Sequence, residues 1–88
     1  MSNKRIIIDV REPYEYAMGH VDGALNITAS ELMSGSKKLE AVDKDAEIIV
    51  YCKTGGRASM SVQILNQLGF RNVVNGINAA QVEQKYFG

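Results

Sequence analysis

The sequence predicts a small α/β domain with a mostly parallel central sheet and helices on both faces. Two short runs of apolar, largely β-branched residues, at positions 5–10 and 46–52, are typical of strands buried on both faces. Helical patterns follow these runs, and alternation of strands with helices favours parallel pairing. The 88 residues contain no internal repeat, linker or low-complexity segment, so we expect residues 1–88 to form one domain.

The first predicted elements are a strand and a short helix. The strand is RIIIDV at residues 5–10. Pro13 then suits the first turn of a helix, and Gly19 can end it.

The next stretch predicts a turn, a brief strand and broken helix. The turn falls at Asp22 and Gly23, and the second strand follows within VDGALNI. TASELMSGSKKLEAV then predicts helical pieces, with Ser30 as a candidate N-cap and an interruption near Gly35.

The second half has the clearer periodicity. AEIIVYC, residues 46–52, is the strongest strand, and apolar or small residues recur at helical spacing after Arg57, with Gly69 as the expected C-cap. RNVVN, residues 71–75, predicts a fourth strand, and AAQVEQKYF predicts a final helix. Ligands of such sheets bind at the carboxyl ends of strands, which is where Cys52 lies.

The composition is that of an ordinary globular chain, with 45% hydrophobic and 23% charged residues. Ten basic residues balance ten acidic ones, so bulk charge gives no support for a nucleic-acid or membrane partner. No apolar run approaches the ~20 residues that cross a bilayer, and the start MSNKRIIIDV lacks the features of a secretory signal. We therefore expect a cytoplasmic protein, or a periplasmic one if a signal peptide has been removed.

Cys52 is the only cysteine. A single cysteine excludes an internal disulfide and a CxxC site, and one histidine without a second thiol does not favour a metal site. A lone cysteine at a strand end is most often a small buried hydrophobic residue. The residues around it therefore decide its role.

The loop that follows, CKTGGR, combines glycines with cations. Gly55 and Gly56 allow torsions that let the loop turn its amide N–H groups inward, and the next helix adds unpaired N–H groups. Because Lys53 and Arg57 add positive charge, we expect the Cys52 thiol to have a pKa below the usual ~8.5, beside an anion site. The segment predicts a thiolate enzyme that acts on an oxyanion.

The number of residues between the cysteine and the arginine of the loop helps to choose between possible reactions. Cysteine phosphatases have a similar loop with one more residue between Cys and Arg, whereas here the gap is four residues. The smaller ring has less room for a tetrahedral phosphate and is closer to the size of one extra sulfur bonded to the cysteine. The spacing favours a persulfide carrier over a phosphatase or an arsenate reductase.

Two motifs together resemble those of rhodanese-like sulfurtransferases. DVREPYEYAMGHVDGALNI, residues 9–27, is similar to the first family signature, and VYCKTGGRAS, residues 50–59, is similar to the active-site loop. LGFRNVVNG, residues 68–76, resembles the helix end and strand that follow. The motifs stand in the family's order and spacing, and the short single-domain members similar to phage-shock-protein-E sulfurtransferases are nearest in size.

The resemblance implies a rhodanese fold and thiosulfate sulfurtransferase activity. The Cys52 thiolate would attack the outer sulfur of thiosulfate, release sulfite and become a persulfide. Cyanide, a thiol or a carrier protein would then accept the sulfur, and no metal or organic cofactor is required. Backbone amides would stabilise the anionic sulfur, and two loop cations would attract the donor. The implied substrate-binding residues of the loop are Lys53, Thr54, Gly55, Gly56 and Arg57.

The first motif places Asp9 and Arg11 at the carboxyl end of the first strand. Arg11 could line the anion entrance and bind substrate, but we favour a structural pairing with Glu15 or Asp9. His20 could form a Cys–His pair with Cys52. In this family the matching histidine belongs to a structural signature, so we favour a packing or hydrogen-bonding role.

The sequence departs from the family at two places. Ala58 follows the loop arginine, where the family commonly has serine, so one hydroxyl at the helix start is missing. Near the end, where the family often has Gly-Gly and then tryptophan, this chain has NGINAAQV with the single Gly76. One wall of the pocket is therefore expected to differ.

Two alternatives stay open at this point. Rhodanese-like folds also occur as non-catalytic interaction modules, but these typically lose the cysteine that this chain retains. A cysteine phosphatase or arsenate reductase is the less favoured enzyme. The small domain size predicts that Cys52 lies near the surface, within reach of a thiol or protein acceptor.

Overall fold

The structure, a computed structural model, describes residues 4–88, so the first three residues of the predicted domain lie outside the described part. These residues form a sheet in the order β2-β1-β3-β4, in which each neighbouring pair is parallel. The strands are β1 (Arg5–Asp9), β2 (Leu25–Asn26), β3 (Glu47–Cys52) and β4 (Val73–Asn78). The helices are α1 (Pro13–Ala17), α2 (Ala29–Ser34), α3 (Gly56–Gln67) and α4 (Ala79–Tyr86), with a short 3-10 helix at Lys37–Leu39.

The two central strands separate two hydrophobic layers. One layer, on the side of α2 and α3, includes Ile8, Leu32, Val50, Cys52 and Leu65. The other layer, on the side of α1 and α4, includes Ile7, Ile49, Tyr51, Val82 and the partly buried Tyr16. Because successive strand residues point to opposite faces, Cys52 and Tyr51 belong to different layers. The predicted α/β class, with helices on both faces of a parallel sheet, is confirmed.

The predicted N-cap of α2 is wrong by two positions. Thr28, not Ser30, caps this helix: its Oγ1 accepts a hydrogen bond from the Glu31 N–H, and the Glu31 carboxylate accepts one from the Thr28 N–H. This reciprocal capping box satisfies two otherwise unpaired donors. Ser30 therefore lies inside the first turn.

Strand β4 runs beyond its predicted end at residue 75. Val50 of β3 pairs with Asn75, whereas the next residue, Tyr51, pairs with Ile77. Gly76 is thus the extra residue of a β-bulge. A Cβ atom on Gly76 would lie 2.8 Å from Cγ2 of Ile49 and 2.6 Å from Cγ2 of the helical Val82, so close packing against α4 requires glycine here.

The carboxyl ends of β1, β3 and β4 meet at one edge of the sheet. The turns that leave these strands carry the motifs singled out from the sequence, so this edge is the place to look for a site. Within residues 4–88, no helix combines the length and apolar character needed to cross a membrane.

Candidate active site

The sulfur of Cys52 lies under the loop that joins β3 to α3. Its Sγ accepts hydrogen bonds from the Gly55 N–H at 3.0 Å and from the Ala58 N–H at 3.4 Å. Gly55 has φ 98°, a left-handed conformation that glycine adopts without steric cost. Cys52 is only 2% exposed, because the loop and the first turn of α3 cover it.

The two loop glycines differ in their backbone. Gly55 needs its positive φ, but Gly56 is the first residue of α3, has no positive φ and has open space where a Cβ would lie. The expectation that both glycines supply unusual torsions is therefore wrong for Gly56, because the helix has already begun there. Lys53 and Thr54 are exposed on the loop.

The electrostatic environment favours the Cys52 thiolate. Burial raises the pKa of the Cys52 thiol, but backbone N–H groups that point at the sulfur outweigh this effect and lower the pKa below its ordinary value. These N–H groups belong, in order of effect, to Ala58, Gly55, Thr54 and Arg57. The downward direction expected from the sequence is confirmed. Its main cause is the backbone, whereas the sequence also suggested the loop cations.

The guanidinium of Arg57 is held by a carboxylate. Its Nη1 lies 2.8 Å from Glu15 Oε1, and its Nη2 lies 3.3 Å from Glu15 Oε2, a forked ion pair. The hydrogen bond from Arg57 is the largest of the effects that lower the pKa of Glu15 to about 2. Glu15 also accepts the Glu12 N–H at 2.9 Å, which caps α1. Glu15 thus joins α1 to the start of α3.

Arg11 pairs with Asp9, one of its two predicted partners, and not with Glu15. Its Nη2 lies 2.7 Å from Asp9 Oδ2, and the same nitrogen donates to the Gly19 carbonyl at 2.7 Å. Asp9 is 0% exposed, so this charge pairing compensates a buried carboxylate. The contacts support the structural interpretation of Arg11.

Tyr51 completes this buried network. Its hydroxyl donates to Asp9 Oδ2 at 2.9 Å and accepts the Val21 N–H at 3.0 Å. Burial raises the pKa of Tyr51 to about 12, so the hydroxyl remains a donor at neutral pH. Because Tyr51 immediately precedes Cys52, the network fixes the end of β3. The sequence reasoning missed this residue, although a tyrosine within an apolar strand signals a hydroxyl that needs a partner.

His20 lies against α1. Its ring stacks on Tyr16 with 3.6 Å between centroids, and its Nδ1 lies 2.8 Å from the Tyr16 carbonyl oxygen. Within residues 4–88, its ring forms no hydrogen bond to Cys52. The contacts are those of a packing residue, and they give no support for a Cys–His pair.

Asn75, which the sequence reasoning did not single out, also reaches the loop. Its Nδ2 donates to the Gly55 carbonyl at 3.2 Å from the neighbouring strand β4. The end of β4, where the sequence departs from the family's Gly-Gly pattern, therefore borders the cysteine loop. The site as a whole is a sulfur nucleophile surrounded by inward-pointing amides at the carboxyl edge of a parallel sheet.

Comparison with known proteins identifies the family. A profile of the rhodanese-like domain matches residues 1–79. The chain is 38% identical over 69 residues to the thiosulfate sulfurtransferase PspE of Escherichia coli (strain K12), an alignment that covers 77% of this chain and 64% of PspE. It is 36% identical over 72 residues to the probable adenylyltransferase/sulfurtransferase MoeZ of Mycobacterium tuberculosis (strain ATCC 25618 / H37Rv), covering 82% of this chain and 18% of MoeZ.

A solved structure described as a rhodanese with anions from E. coli superimposes with a TM-score of 0.78 at 33% identity, covering 88% of this chain and 89% of that one. The chain spans less than two thirds of the length of both curated relatives, 64% of PspE and 18% of MoeZ. The family profile covers most of the chain. This chain therefore belongs to the rhodanese-like domain family.

Proposed function

We propose that this chain is a sulfurtransferase that carries sulfane sulfur as a persulfide on Cys52. The observation that carries the proposal is the pair of amides, from Gly55 and Ala58, that point at Sγ at 3.0 and 3.4 Å. Preorganised donors of this kind stabilise negative charge on sulfur at no cost of reorganisation during the reaction. They suit the Cys52 thiolate, which is the nucleophile of the first half-reaction and the leaving group of the second.

In the first half-reaction, the Cys52 thiolate attacks the outer sulfur of thiosulfate. A bond forms between Sγ and that sulfur, the sulfur–sulfur bond of thiosulfate breaks, and its electron pair leaves with sulfite. The relative PspE is named a thiosulfate sulfurtransferase, which supports thiosulfate or a similar compound as the donor.

In the second half-reaction, an acceptor attacks the outer sulfur of the persulfide and Cys52 leaves as a thiolate. The acceptor is cyanide in an assay, and a thiol or a carrier protein otherwise. Because Cys52 is buried, the persulfide has a steric role. Its outer sulfur lies about 2 Å beyond Sγ, so the acceptor meets the sulfur to be transferred and not Sγ itself.

The anionic donor is bound mainly by the backbone in this proposal. Arg57 and Arg11 are neutralised by Glu15 and Asp9. Lys53 is exposed on the loop and forms no ion pair within residues 4–88. We infer that Lys53 attracts the donor, while the loop amides hold it.

Thiocyanate formation from thiosulfate and cyanide tests this function, with the Cys52→Ser variant as the control. We expect turnover by the wild type and none by the variant. Parallel assays with p-nitrophenyl phosphate and with arsenate test the phosphatase and arsenate-reductase alternatives. Turnover of either, without thiocyanate formation, would replace the sulfurtransferase assignment. Inactivity in all assays, with a thiol that iodoacetamide does not alkylate in the folded protein, would favour the non-catalytic module.

A further inference from the structure

Ile77 has an unusual backbone conformation. Its φ is 76°, and among residues 4–88 it is the one non-glycine residue with a positive φ. This region is unfavourable for a β-branched residue, and strain of this kind persists only where the surrounding structure imposes it. Ile77 follows the bulge residue Gly76, and bulges redirect the side chains beside them.

The Ile77 side chain packs against the cysteine loop. A Cβ atom built on Gly55 would lie 3.4 Å from Cγ2 of Ile77 and 3.8 Å from its Cα, so Ile77 occupies the space directly beside this glycine. Both residues have left-handed backbones, with φ 98° at Gly55. The Ile77 side chain therefore limits the positions that the loop can take.

Asn75 links the same two residues by hydrogen bonds. Its Oδ1 accepts the Ile77 N–H at 2.9 Å, and its Nδ2 donates to the Gly55 carbonyl at 3.2 Å. The same carbonyl accepts the Ser59 N–H at 2.8 Å, the first hydrogen bond of α3. One amide side chain thus fixes the bulge, the loop and the helix start relative to one another.

We propose that Asn75 and Ile77 are positioning residues that hold Gly55 so that its N–H points at the Cys52 sulfur. They do not contact the sulfur, and they act through Gly55. The proposal deepens the sulfurtransferase function on which it rests, because it makes the bulged end of β4 responsible for the orientation of the Gly55 N–H toward the sulfur. It also gives a specific consequence to the departure from the family's Gly-Gly pattern, because Ile77 is the residue that follows the single Gly76.

The pH dependence of Cys52 alkylation by iodoacetamide tests the proposal without using sulfur transfer. The midpoint of the profile reports the thiol pKa, and its plateau reports access to the sulfur. Ile77→Ala removes the contact with Gly55, and Asn75→Ala removes both hydrogen bonds of the side chain. Ile77→Val keeps the Cγ2 methyl group that faces Gly55. Leu68→Ala, at the far end of α3, truncates a residue of similar exposure, 42% against 36% for Ile77, and serves as the control.

We expect Ile77→Ala and Asn75→Ala to raise the midpoint by ~0.5 pH unit or more, about a threefold loss of thiolate below the midpoint. Ile77→Val and Leu68→Ala should keep the wild-type midpoint. Circular dichroism establishes that each variant is folded, and if Ile77→Ala is not, Asn75→Ala decides the question. A wild-type midpoint in the folded Asn75→Ala variant, or an equal increase in Leu68→Ala, would overturn the proposal. Because alkylation needs no sulfur donor, a failure of the proposed function would leave these results interpretable.

Discussion

Arg57 and Glu15 form an ion pair that crosses the carboxyl edge of the sheet beside Cys52, with 2.8 Å between Nη1 and Oε1. Arg57 belongs to the first turn of α3, and Glu15 belongs to α1, on the opposite face of the sheet. The contact therefore connects the two hydrophobic layers at the point where the loop closes over the sulfur. It also means that the loop arginine is not a free positive charge.

Replacing Glu15 with Gln should remove a pH-dependent contribution to stability. The pKa of Glu15 is lowered from 4.5 in the ordinary case to about 2, so the contribution is present above pH ~4.5 and is lost as the pH falls through about 2. Urea unfolding at pH 6 and at pH 2 measures it. We expect the wild type to be more stable than Glu15→Gln at pH 6 and this difference to shrink at pH 2. We expect the stability difference at pH 6 to be modest, because solvent screens the ion pair. A difference that does not depend on pH would contradict a contribution from this ion pair.

Replacing Lys53 with Ala should separate donor attraction from thiol activation. Since backbone amides are the main cause of the lowered Cys52 pKa, the alkylation midpoint should stay at the wild-type value. The KM for thiosulfate should rise, and its dependence on salt should weaken, because an exposed charge acts over roughly 10 Å at 0.1 M salt. Lys37→Ala, another exposed lysine, is the matched control. An unchanged KM in Lys53→Ala would show that this lysine does not attract the donor.

Removing the hydroxyl of Tyr51 should destabilise the fold. Tyr51→Phe leaves the buried Asp9 carboxylate without one donor and the Val21 N–H without its acceptor. Unpaired buried polar groups cost about 1–3 kcal/mol each, so we expect a loss of that order in the free energy of unfolding. Tyr14→Phe, at a residue that is 69% exposed, is the control and should be neutral. Equal stabilities of the two variants would contradict the role assigned to the Tyr51 hydroxyl.

The two loop glycines should respond oppositely to alanine. Gly55→Ala places a Cβ on a residue with φ 98°, which costs about 1–2 kcal/mol in a left-handed backbone, and it should also raise the Cys52 pKa. Gly56→Ala meets no atom within 4 Å at the first position of α3 and should be neutral or stabilising by about 0.4–1 kcal/mol. Thermal unfolding and alkylation of both variants measure these effects. A destabilised Gly56→Ala would contradict the helical assignment of that residue.

Much of the fold could be predicted because local pattern and tertiary structure agree. The apolar runs that became β1 and β3 are buried on both faces, as continuous runs in parallel sheets usually are. The predicted cap of α2 at Ser30 is wrong, although the capping-box spacing of Thr28 and Glu31 could have located the correct residue. The nearby serine competed with this signal.

The side-chain partners of the site could be predicted less well. Glu15 and Arg57 are 42 positions apart, and no periodicity indicates which carboxylate meets which cation across two helices. The bulge at Gly76 could not be predicted, because a glycine in a strand pattern is equally consistent with the end of the strand. The role of Asn75 depends on that bulge, so it became visible only in three dimensions.

The intact mass of the protein after incubation with thiosulfate tests the central claim most directly. We expect a gain of one sulfur atom, reversed by a reductant and absent from the Cys52→Ser variant. A second sample of the wild-type protein, alkylated with iodoacetamide before thiosulfate is added, should gain no sulfur. A folded protein whose Cys52 is alkylated readily but gains no sulfur from thiosulfate would contradict the claim that Cys52 accepts sulfur from this donor.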